Sequence, residues 1–139
     1  MTPQALAATH ARAFTDSRTW HEDEMASLIA SPHVTVTGDE RCFVMLRVIA
    51  DEAEILTVAT DPDHRRQGLA ARALAEAETV AASRGATQVF LEVAETNTAA
   101  RALYDKAGYT LVGTRPDYYA QKTGMPVQAL VLAKRIPPR

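Results

Sequence analysis

The sequence predicts an α/β (α+β) domain built on a mixed, mostly antiparallel central sheet with helices on both faces. Three observations predict it. Short apolar runs rich in β-formers alternate with stretches of helical spacing. Three of those runs, Val34 to Thr37, Arg41 to Ala50 and Glu54 to Thr60, follow one another across the turns Gly38-Asp39-Glu40 and Asp51-Glu52-Ala53, as antiparallel strands do. The long helix after Thr60 is then followed by another strand, which is the pattern of a crossover unit.

The elements follow in order. Thr2-Pro3 is an N-cap with proline at the first helical position, and it opens a helix carrying Leu6, Ala13 and Phe14. Thr19 and Glu22 have the form of a capping box for a second helix, whose stripe is Met25, Leu28 and Ile29 and which Pro32 closes. After the three strands, Leu69, Ala73, Ala77 and Val80 recur at helical spacing as far as Ser83, with Gly85 as terminator. Gln88 to Ala94 is a strand, Asn97 or Thr98 caps a helix ending at Gly108, and two final strands, Thr110 to Arg115 and Val127 to Lys134, flank a polar loop from Pro116 to Pro126.

A chain of 139 residues matches one domain, residues 1–139, and at this size roughly two-thirds of the extended-chain surface can be buried. With 47% hydrophobic and 23% charged residues it is neither disordered nor membrane-like. Seventeen acidic against fifteen basic residues leave a formal charge of −2, so nothing general favours nucleic acid. Met1 to Phe14 lacks the pattern of a signal peptide, which predicts a cytoplasmic protein. Cys42, the single cysteine, sits in an apolar run and reads as a core residue.

Chemistry concentrates first between Thr60 and the long helix. There the strand ends at Asp61-Pro62, and Arg65-Arg66-Gln67-Gly68-Leu69-Ala70 leads into the helix. A turn of this kind delivers free N–H groups and the positive helix end, the two arginines add full charge, and Gly68 allows close backbone approach. A phosphate or pyrophosphate fits such a cradle. The Gly-Lys-Ser/Thr ending of a nucleotide P-loop and the extra glycines of a dinucleotide fingerprint are both missing.

Glu92 interrupts the run Val89-Phe90-Leu91-Glu92-Val93, where a carboxylate is costly unless paired, solvated or used. It reads either as a strand-end charge facing water or as a group placed near the carboxyl end of the sheet, where ligands collect. Tyr104, one turn from Ala100, is either a core amphiphile or a hydroxyl reaching a site. Asn97 is an N-cap whose amide can also bond a ligand. His10, His21, His33 and His64 lack ligand spacing.

The cradle resembles the acyl-CoA loop of the GNAT superfamily of N-acetyltransferases, whose arginine, glycine and final glycine or alanine fall at Arg65, Gly68 and Ala70. Leu91-Glu92-Val93, Asn97, Leu103-Tyr104 and Gly108-Tyr109 are similar in spacing to the RimI-type branch, which acetylates the N-terminal alanine of a small-subunit ribosomal protein. Arg115-Pro116-Asp117-Tyr118-Tyr119 resembles that branch's double-tyrosine loop, and Glu54 to Ala59 its acetyl-CoA strand.

The resemblance implies a GNAT fold and acetyl-CoA as cosubstrate. It places Leu56, Val58, Arg65, Arg66, Gln67, Gly68, Leu69, Ala70, Asn97 and Tyr104 against acetyl-CoA, and Glu92, Tyr118 and Tyr119 against the acceptor. It implies Glu92 as general base, Tyr104 as general acid, a backbone N–H at Val58 for the oxyanion, and no metal. The family pattern has a strand before the first helix, whereas this chain opens on Thr2-Pro3, so the sheet is expected to lack that edge strand; Gln128 stands where an acidic residue is usual. Two alternatives stay open: a GNAT enzyme acting on a small amine or lysine, and a non-catalytic acyl-CoA-binding module.

Overall fold

The computed structural model describes residues 2–14, 21–120 and 126–137. Helix α1 (Pro3–Ala13) starts as the sequence predicts, with the Thr2 hydroxyl accepting the Ala5 N–H at 3.1 Å. Thr19, the expected cap of the second helix, lies outside the described residues. Helix α2 (Glu22–Ala30) begins after His21, whose backbone N–H donates to Glu24 Oε1 at 3.3 Å, so the capping interaction falls later than the sequence reading puts it.

Strands β1 (Val34–Asp39), β2 (Cys42–Ile49) and β3 (Glu52–Thr60) form the expected antiparallel meander. A short 3₁₀ turn (Pro62–His64) leads to α3 (Leu69–Ser83), then β4 (Gln88–Ala94) and α4 (Thr98–Lys106). The chain closes with β5 (Thr110–Ala120) and β6 (Pro126–Arg135). The six strands lie in the order β1-β2-β3-β4-β6-β5, and only β3 and β4 run parallel. This is the mixed, mostly antiparallel sheet expected. Among the described residues no strand precedes α1.

Several boundaries are corrected: Gly38 and Asp39, read as turn, belong to β1, and Glu52 and Ala53, also read as turn, belong to β3, because cross-strand pairing carries the ladder closer to each turn than propensity does. The segment after Arg115 reads as loop, but β5 continues to Ala120, with Tyr119 opposite Val127 and Ala120 opposite Pro126. Pro116 and Asp117 fall where the β5–β6 register slips, between Arg115 and Tyr119. Because β5 is an edge strand, a residue without an N–H is accommodated there at an irregularity.

Two cores hold the layers together. On one face α3 lays Ala73, Leu74, Ala77 and Ala81 against Val44, Leu46, Ile55, Val89 and Leu91, and the small alanines let the helix sit close to the sheet. On the other face Leu6 of α1 and Met25 of α2 pack on Phe43, Met45 and Ala59. Cys42 is buried, with Sγ 3.2 Å from Thr60 Oγ1, and burial pushes its thiol pKa up, as befits a core cysteine rather than a nucleophile.

Candidate active site

The site begins where the sheet stops pairing. Strands β3 and β4 are in register only from Glu52 opposite Gln88 to Ile55 opposite Leu91, yet β3 runs on to Thr60 and β4 to Ala94. Beyond Ile55 and Leu91 the two strands diverge. Their facing backbone groups must find partners elsewhere, so the cleft is suited to an extended, hydrogen-bonding ligand.

The cause lies in β3. Its register against β2 skips Leu56, with Thr57 opposite Met45 and Ile55 opposite Leu46. This bulge resets the alternation. Ile55 belongs to the α3 core and Val58 packs against that same core, whereas Leu56 and Ala59 belong to the α1–α2 side. A bulge bends its strand and increases local twist, which turns β3 away from β4. Nothing in the run Glu54 to Thr60 announces it.

The cleft leads to the cradle. Gly68 is the N-cap of α3, with φ 73°, and its lack of a side chain leaves the first turn of the helix without a side-chain cap. A Cβ built on Gly68 meets no protein atom within 4 Å, so the space above the backbone is open to a ligand. Arg66 also takes a left-handed φ of 64°, and Arg65, Arg66 and Gln67 are exposed around the helix end, with Leu69 and Ala70 in its first turn. Backbone donors and the positive helix end meet here with two exposed arginines in the adjoining turn, an arrangement suited to a phosphate. The cradle is also braced from behind, which the sequence did not reveal: Arg12 of α1 reaches Asp61 at 3.1 Å and Asp63 at 2.7 Å.

Glu92 and Tyr104 lie on opposite faces of β4. Val89, Leu91 and Val93 point into the α3–α4 core, so Glu92 points to the other face, at the first step beyond the last β3–β4 pair. It is neither free in water nor buried unpaired. Arg115 Nη1 donates to Glu92 Oε1 at 2.5 Å, with the two side chains 51% and 21% exposed. Tyr104 is buried in the α3–α4 core, edge-on to Tyr109 with ring centroids 5.8 Å apart. Tyr109 is held in turn: its hydroxyl donates to Glu78 Oε2 at 3.0 Å, and Lys134 binds Glu78 Oε1 at 2.7 Å. Burial, and then the neighbouring Glu78 charge, push the Tyr109 pKa upward, which keeps it neutral.

Asn97 caps α4, with Oδ1 accepting the Ala100 N–H at 3.2 Å. Tyr118 and Tyr119 lie on the distal part of β5, and their side chains are outside the described part of the chain. An open groove lined by Asp23, Glu24, Ser27, Leu28 and Leu56 runs along α2 on the Glu92 side of the sheet. Among the described residues, no three of His, Cys, Asp and Glu gather as a ligand set, and no helix is long and apolar enough to cross a membrane.

A splayed parallel pair that opens onto a glycine cradle at a helix N-terminus defines an acyl-CoA-dependent transferase, and the comparisons agree. Residues 8–109 match the acetyltransferase (GNAT) family, and the chain belongs to it; it is an acetyl-CoA-dependent N-acetyltransferase. It is 33% identical over 109 residues to the ribosomal protein bS18-alanine N-acetyltransferase of Escherichia coli (strain K12), covering 76% of this chain and 74% of the relative. The crystal structure of the ribosomal-protein-alanine N-acetyltransferase from Escherichia coli superposes with a TM-score of 0.87 at 29% identity, over 99% of this chain and 89% of that one. Arabidopsis thaliana NAA60 in complex with acetyl-CoA shares the fold, with a TM-score of 0.81 at 15% identity over 98% of this chain and 96% of its own.

Proposed function

We propose that this protein transfers the acetyl group of acetyl-CoA to the N-terminal α-amine of a protein, a small-subunit ribosomal protein beginning with alanine, in the cytoplasm and by direct attack within a ternary complex. The observation that carries the reading is the cleft between β3 and β4, with the cradle at one end and Glu92 at its mouth. The acceptor half is supported by the relationship to the bS18-alanine N-acetyltransferase.

In this reading acetyl-CoA lays its pyrophosphate against Arg65, Arg66, Gln67, Gly68, Leu69 and Ala70. Its pantetheine arm runs along Leu56 and Val58, and the Asn97 amide NH₂ serves as a further donor. A peptide α-amine has a reference pKa near ~8, so at neutral pH most of it is protonated and inert. Glu92, directly or through water, takes one proton and frees the nitrogen lone pair. The C–N bond forms at the thioester carbon, and the negative charge that develops on its oxygen is met by the Val58 backbone N–H. A second proton passes from nitrogen to water, the C–S bond breaks, and Tyr104 gives its hydroxyl proton to the departing sulfur and is reprotonated from solvent.

Tyr104→Phe is expected to lower kcat by about a hundredfold, the loss of one general acid, with little change in acetyl-CoA affinity. Steady-state kinetics with calorimetry of acetyl-CoA binding checks this; wild-type turnover in the folded variant removes Tyr104 from the mechanism.

Acceptor class is tested by competition. One peptide carries a free N-terminal alanine, the other a blocked terminus and an internal lysine. The lysine amine, with a pKa near ~10.4, is more than about two units harder to deprotonate, so the α-amine is expected to be acetylated much faster. Site-resolved mass spectrometry gives the ratio; predominant lysine modification overturns the N-terminal reading and leaves the transferase class standing.

A further inference from the structure

We infer that Arg115 is a positioning residue for the acetyl transfer: it holds the Glu92 carboxylate at the mouth of the cleft. The inference rests on the reading of Glu92 as general base. The two residues meet across an intervening strand. Glu92 is opposite Val131 of β6, which is opposite Gly113 of β5; Ala94 is opposite Ala129, which is opposite Arg115. Directly opposed residues share a face, so Arg115 and Glu92 stand on the same side of the sheet. Ala129 is fully buried and presents only a methyl group where the arginine must cross, and Gly113 presents none. The guanidinium therefore spans β6 and reaches Glu92 Oε1 at 2.5 Å.

The pair is a poor device for stability, because Arg115 is 51% exposed and exposed ion pairs contribute little. It is a good device for geometry. A glutamate on a strand has several side-chain torsions to fix, and a planar donor on one oxygen selects a rotamer while leaving Oε2 to receive a proton. Arg115 is also the last residue of β5 before the register slips, so its backbone is anchored by the regular ladder. Base placement is thereby tied to the strand that carries the Tyr118-Tyr119 segment.

The test is a double-mutant cycle in the full chain, with acetyl-CoA and a peptide bearing a free N-terminal alanine. Arg115→Ala is expected to lower kcat about ten- to a hundredfold, as misplacement of a reacting group does, with the KM for acetyl-CoA unchanged. Arg115→Lys, which keeps the charge but not the planar fork, should recover part of that loss, and so should free guanidinium added to Arg115→Ala. On a Glu92→Gln background, Arg115→Ala should change kcat by less than about twofold, because a residue acting through Glu92 has nothing left to position.

An equal loss on both backgrounds overturns the inference. So does a loss that falls wholly on the KM for peptide, or a variant faster than wild type. If Glu92→Gln itself turns over at the wild-type rate, the base reading fails and the inference fails with it. A slow Glu92→Gln combined with an additive cycle refutes the positioning role alone.

Discussion

Glu92→Gln is expected to lower kcat at pH 7 by about 10²–10⁴-fold, the range for loss of a general base, while leaving acetyl-CoA affinity near wild type. The amide keeps the shape and the hydrogen-bonding capacity of the carboxylate but cannot accept the ammonium proton. The pH dependence distinguishes this from a packing defect. In the variant only the amine that is already neutral reacts, so its rate should climb about tenfold per pH unit below the amine pKa near ~8 and level off above it. The gap between variant and wild type therefore narrows as pH rises. Because the Glu92–Arg115 pair is half exposed on the arginine side, the substitution should cost no more than about 1 kcal/mol of stability, which thermal unfolding can verify. If turnover and pH profile both match wild type in the folded variant, Glu92 is not the base, and another group or solvent takes the ammonium proton.

Gly68→Val should have the largest effect on the cosubstrate. At φ 73° the Gly68 backbone is one that a β-branched residue resists, at a cost of about 1–2 kcal/mol. Its Cβ would enter space that no protein atom occupies within 4 Å, the space assigned to the pyrophosphate. Two or more backbone donors would then be held off the phosphates. Charge-assisted hydrogen bonds of this kind are worth about 1.5–3 kcal/mol each, so acetyl-CoA affinity should weaken at least about tenfold. Ala75→Val, at an exposed position in the middle of α3, serves as the control and should leave affinity unchanged. Calorimetry that shows equal affinity for both variants would remove the cradle from the cosubstrate site.

The parts of the site that were legible in the sequence are those written in contiguous residues. The cradle is one stretch, because strand end, turn and helix start are each set by local chemistry: proline at Pro62, glycine at Gly68, alanine and leucine beyond. Strand β4 has the predicted bounds, and α4 is capped by Asn97, one of the two caps the sequence left open. Glu92 stood out because a carboxylate breaking an apolar strand needs a reason. The extension of β5 was not legible, since Pro116 and Asp117 argue for loop and only pairing with β6 carries the strand through them.

By itself, then, the sequence determined the fold class, the element order and the candidate residues of the site, because propensity, capping and hydrophobic period act over a few neighbours along the chain. Only the tertiary structure decided how those residues are used. The bulge at Leu56 and the divergence of β3 from β4 depend on strands pairing across the sheet. The separation of Glu92 and Tyr104 onto opposite faces depends on which side α3 and α4 pack. The clasp of Arg12 on Asp61 and Asp63 and that of Arg115 on Glu92 join residues far apart in sequence. Each needs a partner that comes within reach only once the chain has folded, and the local pattern around either partner does not record it.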